Sequence, residues 1–419
     1  MKNPVTEVTL KNGLKVMLKE IHTAPIISSW IWYRVGSRDE PTGKTGISHW
    51  TEHMMFKGTK KFGSKVLDKA ISRDGGRWNA STSRDSTRYF ETMPADKIDL
   101  ALRLESDRMQ NCSFDKKEVE SERTVIISER EGSENEPTFL LGEAVQHASF
   151  RVHPYHHDII GDKADLHAIT RDDLYQHYRT FYVPNNAILS LAGDFETRSM
   201  LKRIRELFEP ISRGSVPSRL SRPEPAPRGE LRLTVEGPGE TAFTQVAYPF
   251  PNATHPDYFP LQVFESLLNG ASGLSYKTAR LYRALVDHEY AVDVSGWSES
   301  TIDPYLYRMT ITHRPDRKPE EALAVLDAEI KKMQDDLVPE EEILRAVKQA
   351  RAVFAYGSEN ITHQAFWMGY TSMFSDYSWY TTYLKKLARV TPADVQRVAQ
   401  TYFQPSTRVV GSYIPKGRA

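Results

Sequence analysis

The chain has 419 residues, 39% of them hydrophobic, and its 55 basic and 55 acidic side chains cancel to a formal net charge of zero. That length supports two or more cores, and the charge balance argues against a broad nucleic-acid or anionic-membrane surface. No apolar run approaches the roughly 20 residues needed to span a bilayer, the start Met1-Lys2-Asn3-Pro4 lacks a signal-peptide core, and the one cysteine, Cys112, can close no internal disulfide.

In chain order, residues 9–19 read as strand around Asn12-Gly13, a dipeptide suited to the tight turn of a hairpin. Next comes His49-Trp50-Thr51-Glu52-His53, the inverted zinc-peptidase box H-x-x-E-H. Positions four apart share a helical face, so His49 and His53 can offer both imidazoles to one metal ion, with Glu52 beside them. With 13 His and 55 acids in the chain, chance would give about 0.05 such strings, so the match carries weight. Thr45 and Gly46 can open the helix, Ile47, Trp50, Met54 and Met55 recur with its period, and Gly58 follows as a stop. A zinc ion that activates water needs three protein ligands and an open fourth position, so another donor is required. Glu52 is the natural general base: it adjoins His53 and can take a proton from water and pass it to a leaving amine without coordinating the metal.

Arg77–Thr82 alternates as a strand does, Ser83-Arg84-Asp85 makes a turn, and residues 86–93 form a second strand. Asn79 lies in the first of these, and an exposed sheet edge there would accept an extended peptide by strand addition. Residues 118–129 are an acidic helical stretch in which Glu122 and Glu129, seven apart, share a face. Spacing does not decide which of the two binds the metal. His153, His156 and His157 also cluster, but their spacing is not helical and Pro154 lies between the first two, so they read as structural or surface residues. Cys112 has no adjacent His to suggest a thiol nucleophile.

Residues 209–230 are rich in proline and polar side chains and read as a semi-extended linker. It divides an N-terminal domain, 1–208, from a C-terminal domain, 231–419. The halves repeat faintly: Thr170-x-x-Asp173 with Phe181-Tyr182-x-Pro184 parallels Thr391-x-x-Asp394 with Tyr402-Phe403-x-Pro405. Residues 261–270 can be set against 49–58, which puts Leu261, Phe264 and Glu265 opposite His49, Glu52 and His53 and leaves the second copy without a zinc box. Strand signals mixed with long helical runs such as residues 319–337 predict an α+β fold, antiparallel-rich sheets covered by helices in two homologous domains.

These motifs resemble the pitrilysin and insulinase family of zinc peptidases, which includes the mitochondrial processing peptidases. The resemblance rests on the box at His49 to His53 with Glu129 placed 129 − 53 = 76 positions beyond it. It extends to the G-G-x-x-N-A-x-T-S-x-D-x-T-x-Y pattern from Gly75 to Tyr89, to His153-Pro154-Tyr155 with Gly161, and to Tyr182, Pro184, Asn186, Gly193 and Asp194. It implies two related α/β sandwich domains and one Zn²⁺ per chain held by His49, His53 and Glu129, with Glu122 supporting the site from behind. It also implies that the Asn79 strand receives substrate, and that Arg283 and Tyr290 hydrogen-bond the substrate backbone and the developing oxyanion. The wording around Arg283 departs from the family's R-E-x-x-G-L-x-Y.

The expected function is a zinc metalloendopeptidase cleaving unfolded or short peptides in an enclosed chamber, cytoplasmic or periplasmic, of a bacterial or mitochondrial-processing-peptidase-like type. A chamber needs more domains than one chain supplies, so a homodimer, or a heterodimer with a related zinc-less subunit, is expected. The competing function is a non-catalytic binding or assembly subunit, against which the intact His49, Glu52, His53 and Glu129 argue. A zinc hydrolase of non-peptide substrates would call for a phosphate-cradling loop or C-x-x-C, and neither is visible.

Overall fold

The computed structural model describes residues 4–63, 69, 71–219, 222–270 and 277–416. The fold is α+β, with two compact units that each carry a mixed sheet and helices. One comprises residues 1–130, 157–221 and 357–380, the other residues 131–156, 222–356 and 381–419.

The first unit has a six-stranded sheet of β1 (Thr6–Thr9), β2 (Lys15–Glu20), β3 (Ile26–Tyr33), β4 (Arg77–Thr82), β5 (Thr87–Pro94) and β6 (Ala187–Gly193), in the order β1-β2-β6-β3-β5-β4. Neighbours are antiparallel except β2 and β6. The hairpin turn falls at Asn12-Gly13 as expected, with Gly13 at φ +93° where a side chain would be strained. Strand β3, Ile-Ile-Ser-Ser-Trp-Ile-Trp-Tyr, is β-branched and aromatic and almost wholly buried. It is covered on both faces, so its sequence does not alternate.

One of those covers is the helix Ile361–Phe374, which comes from more than 300 residues away in the chain. Its Phe366 meets Trp30 and Trp32 edge-on at 5.1 and 5.2 Å, and Ser190 of β6 donates to the Ala365 carbonyl at 2.8 Å. Gly369 lets the helix lie close, since a Cβ there would sit 2.0 Å from Trp32 Nε1 and 2.4 Å from its Cδ1. Gly369→Ala is therefore expected to destabilise the protein: overpacking against a fully buried indole costs about 1–3 kcal/mol, against roughly 1 kcal/mol of helix propensity gained. Urea unfolding of the variant would show the net loss, and a stabilised variant would mean that Trp32 can move.

The second unit has a five-stranded sheet of β7 (Leu231–Gly237), β8 (Phe243–Phe250), β9 (Ala291–Ser298), β10 (Tyr305–His313) and β11 (Val409–Pro415), in the order β7-β11-β8-β10-β9. Only β7 and β11 run parallel. Counting from β2 in one unit and β7 in the other, both sheets have the order 1-5-2-4-3, so the duplication faintly visible in sequence is a duplication of topology. Here too a helix from the other half of the chain, Pro137–Ser149, covers the sheet, with Leu141 and Val145 in a core that includes Tyr305, Val409 and Tyr413. The repeated Thr-x-x-Asp sequences are capping boxes: Thr170 with Asp173 opens Arg171–Phe181, and Thr391 with Asp394 opens Pro392–Tyr402. Among the described residues, no helix is long and apolar enough to cross a membrane.

Candidate metal centre

The zinc box folds as helix α1 (Ile47–Met55) in the first unit. Ile47, Trp50, Thr51, Met54 and Met55 turn inward, which leaves His49 and His53 half-buried on one side, their ring centroids 4.6 Å apart. The acidic stretch lies within the helix Lys116–Glu134, which buries Val119, Glu122, Ile126 and Arg130. Arg123 joins the two helices: its guanidinium stacks 4.7 Å from the centre of the Trp50 ring and donates to the Ile169 carbonyl at 2.9 Å.

This packing brings His49, His53 and Glu129 together, with one potential ligand atom from each within 4.8 Å of the others. His49 Nε2 stands 4.0 Å from Glu129 Oε1, and His53 Nε2 stands 3.7 Å from Glu129 Oε2. Both separations are too long for hydrogen bonds and slightly wider than the roughly 3.3 Å between donors around a tetrahedral ion with bonds of about 2.0–2.1 Å. Two imidazole nitrogens and one carboxylate suit zinc and leave a fourth position open. His49 Nδ1 is buried without a hydrogen-bond partner, and burial, aided by the neighbouring His53, depresses its pKa to about 3, so the ring is held neutral as a metal ligand must be.

Glu122 and Glu129 take different places. Glu129 faces both Nε2 atoms, whereas Glu122 is buried behind His53, whose Nδ1 lies 2.8 Å from Glu122 Oε1. Burial alone would raise the Glu122 pKa, but hydrogen bonds from His53 and Lys57 hold it below the usual range. His53 in turn is pushed up: burial opposes its proton, and the bond and charge of Glu122 outweigh that. Lys57, which pairs with Glu122, was not singled out from the sequence; it lies four residues beyond His53, one turn further along the same face.

Glu52 is buried and tied to the sheet, with Thr82 Oγ1 donating to its Oε2 at 2.6 Å. Burial raises its pKa, and the Thr82 hydroxyl partly opposes the rise. Thr82 is the last residue of β4, the terminal strand of the sheet, and Asn79 lies exposed in the same strand. Of the remaining histidines, His153 faces Asp303 at 3.2 Å and His157 faces Glu40 at 2.9 Å. Burial pushes the Cys112 thiol up to about 12.

Residues 15–163 match the family described as Insulinase (Peptidase family M16), and residues 168–350 match the Peptidase M16 inactive domain. The chain belongs to the M16 (insulinase) family of peptidases. It is 28% identical to the zinc protease PqqE of Helicobacter pylori over 404 residues, covering 95% of this chain and 90% of that one. A probable mitochondrial-processing peptidase subunit beta from Arabidopsis thaliana is 30% identical over 271 residues, 63% of this chain and 50% of that protein. The crystal structure of a protease from Helicobacter pylori superposes with a TM-score of 0.94 at 27% identity, covering 99% of this chain and 100% of that one.

The M16 inactive-domain match includes the counterpart of α1, the helix Tyr258–Asn269, and the structure corrects by one residue the pairing of residues 261–270 with 49–58 expected from the sequence. Glu265, not Phe264, stands where Glu52 does (265 − 52 = 213): its Oε2 accepts from Ser298 Oγ at 2.6 Å, and Ser298 ends β9 as Thr82 ends β4. At this offset half-buried His49 and His53 face half-buried Gln262 and Ser266, and buried Trp50, Thr51, Met54 and Met55 face buried Val263, Phe264, Leu267 and Leu268. Pairing 49–58 with 261–270 puts Gly58 opposite Gly270, but the two helices end differently: α1 ends at Met55 with Phe56 as cap, whereas Gly270 itself caps the second helix. The second unit thus keeps a half-buried carboxyl, its pKa pushed up to about 7 by desolvation, but has Gln262 and Ser266 in place of the two histidines. Arg283 lies exposed in this unit within the π-helical turn Tyr282–Val286. Tyr290 precedes β9, its backbone N–H donating to the Leu285 carbonyl at 2.7 Å and its ring centre 5.0 Å from the Arg317 guanidinium.

Proposed function

We propose that this chain is a zinc-dependent endopeptidase acting on unfolded or short peptides, with one Zn²⁺ held by His49, His53 and Glu129. The observation that carries this reading is the convergence of those three donors on a face that also presents a buried, hydrogen-bonded Glu52. Bound there, zinc would supply a Lewis acid that acidifies a water and polarises the scissile carbonyl. Glu52 serves as general base: Thr82 fixes one carboxylate oxygen, and the other takes the proton of the attacking water and delivers it to the leaving amine. Burial, by raising its proton affinity, suits it to hold that proton between the two transfers. Glu122 accepts from His53 Nδ1 and so keeps Nε2 turned towards the metal.

The edge strand β4, with Asn79, receives an extended peptide by strand addition, which recognises backbone and tolerates varied side chains. By family resemblance, Arg283 and Tyr290 bind the substrate backbone and the developing oxyanion. A second chain, either a like subunit or a zinc-less relative, completes the enclosure, in a cytoplasmic or periplasmic setting. The test is a quenched-fluorescent peptide library assayed on protein that is as purified, chelator-treated and zinc-restored, with light scattering on the same sample. Cleavage should vanish with the metal, return with zinc and belong to the dimer. Cleavage that survives chelation, or a zinc-loaded protein that cleaves nothing with candidate partner chains added, overturns the reading.

A further inference from the structure

The zinc helix begins in an unusual way. Its N-cap is Gly46, in the left-handed region at φ +87°, and a Cβ there would lie 2.4 Å from the Ile160 carbonyl oxygen and 2.9 Å from Leu166 Cδ2. None of the residues that ordinarily cap a helix through their own side chain fits that position. The helix is capped from a distance instead: the Glu40 carboxylate accepts from the Gly46 N–H through Oε2 and from the Ser48 N–H through Oε1, each at 2.8 Å. A negative charge there satisfies two of the free N–H groups of the first turn and faces the positive end of the helix dipole.

Glu40 is itself braced. His157 Nε2 lies 2.9 Å from Glu40 Oε2, and both side chains are essentially buried. Burial lowers the proton affinity of the His157 ring, but the bond and charge of Glu40 outweigh this and raise it, as expected of an ion pair. The segment after His157 is fastened to the same helix start, with Asp162 N donating to Thr45 Oγ1 at 2.9 Å and Thr45 N and Oγ1 donating to Asp165 Oδ2 at 2.9 and 2.7 Å. Gly161, at φ +82°, permits the close approach, because a Cβ there would sit 2.3 Å from the Thr45 carbonyl oxygen.

His49 follows Ser48 directly. A shift or rotation of the first turn therefore moves one metal ligand relative to Glu129, which is carried by a different helix. We propose that Glu40 and His157 are positioning residues of the metal centre: the pair fixes the start and rotation of α1 so that His49 and His53 converge with Glu129. This rests on the metal reading above.

The test compares wild type, Glu40→Gln and His157→Gln, each as the full chain. Zinc affinity is measured by competition with a chromophoric chelator, the visible bands of the Co²⁺-loaded protein report ligand geometry, and thermal unfolding of the metal-free protein reports stability. The expected result is an affinity about 10–100-fold weaker in both variants, the range for supports behind metal ligands, with altered cobalt bands. A fall in metal-free stability with wild-type zinc affinity and cobalt bands would mean that the pair only holds the fold, and overturns the proposal. If Glu40→Gln does not fold, His157→Gln leaves the two backbone bonds in place but unbraced, and the same measurements decide. Wild type that takes up neither metal overturns the metal reading, and with it this one.

Discussion

Glu52→Gln is expected to keep its zinc and its fold and to lose about 10²–10⁴-fold in kcat, the range for removing a positioned general base. The amide has the shape of the carboxylate and can still accept from Thr82 through its oxygen, so the local structure has no reason to change. What disappears is a group that can receive a proton. The loss should fall on kcat more than on KM, because the proton moves only in the chemical step. A zinc-loaded Glu52→Gln protein that cleaves at the wild-type rate would remove Glu52 from the mechanism.

The second large effect concerns the metal. Glu129→Gln is expected to weaken zinc binding more than Glu122→Gln. Spread over four ligands, the roughly 10–16 kcal/mol of a protein zinc site puts one ligand at about 3 kcal/mol, on the order of a hundredfold in affinity or more. Glu122, held on His53 Nδ1, acts on the metal through that ring, and such a support is worth about 10–100-fold. Glu129 is 47% exposed at its side chain, so its replacement should leave thermal stability near wild type, whereas buried Glu122 also partners Lys57 and should lower it. Chelator competition and unfolding of the two variants together settle the roles, and the reverse order of affinities would exchange them.

The two sheets show where the sequence misleads. The Asn12-Gly13 turn, the strand pair β4 and β5 and the helix Pro319–Asp335 follow from local pattern and lie within a residue or two of expectation. Local pattern does not reveal that Ile361–Phe374 covers the sheet of the first unit or that Pro137–Ser149 covers that of the second. An apolar helix face has no address; Trp30, Trp32 and a close-fitting Gly369 select its partner only once the sheet exists.

By itself the sequence determined the local placement of the candidate site: H-x-x-E-H can place two imidazoles and a carboxylate on one helical face because helical period is a local property. Spacing narrowed the candidate third donor to Glu122 or Glu129 without separating them, since residues seven apart point in nearly the same direction, and only the family resemblance favoured Glu129. The tertiary structure separates them, burying Glu122 behind His53 and turning Glu129 towards both Nε2 atoms. It also decided what sequence spacing cannot carry, namely that Thr82 holds Glu52 and that Glu40, backed by His157, caps a helix whose own N-cap has no side chain. Those contacts join residues between 6 and 117 positions apart, and only packing brings such distances within reach of a hydrogen bond.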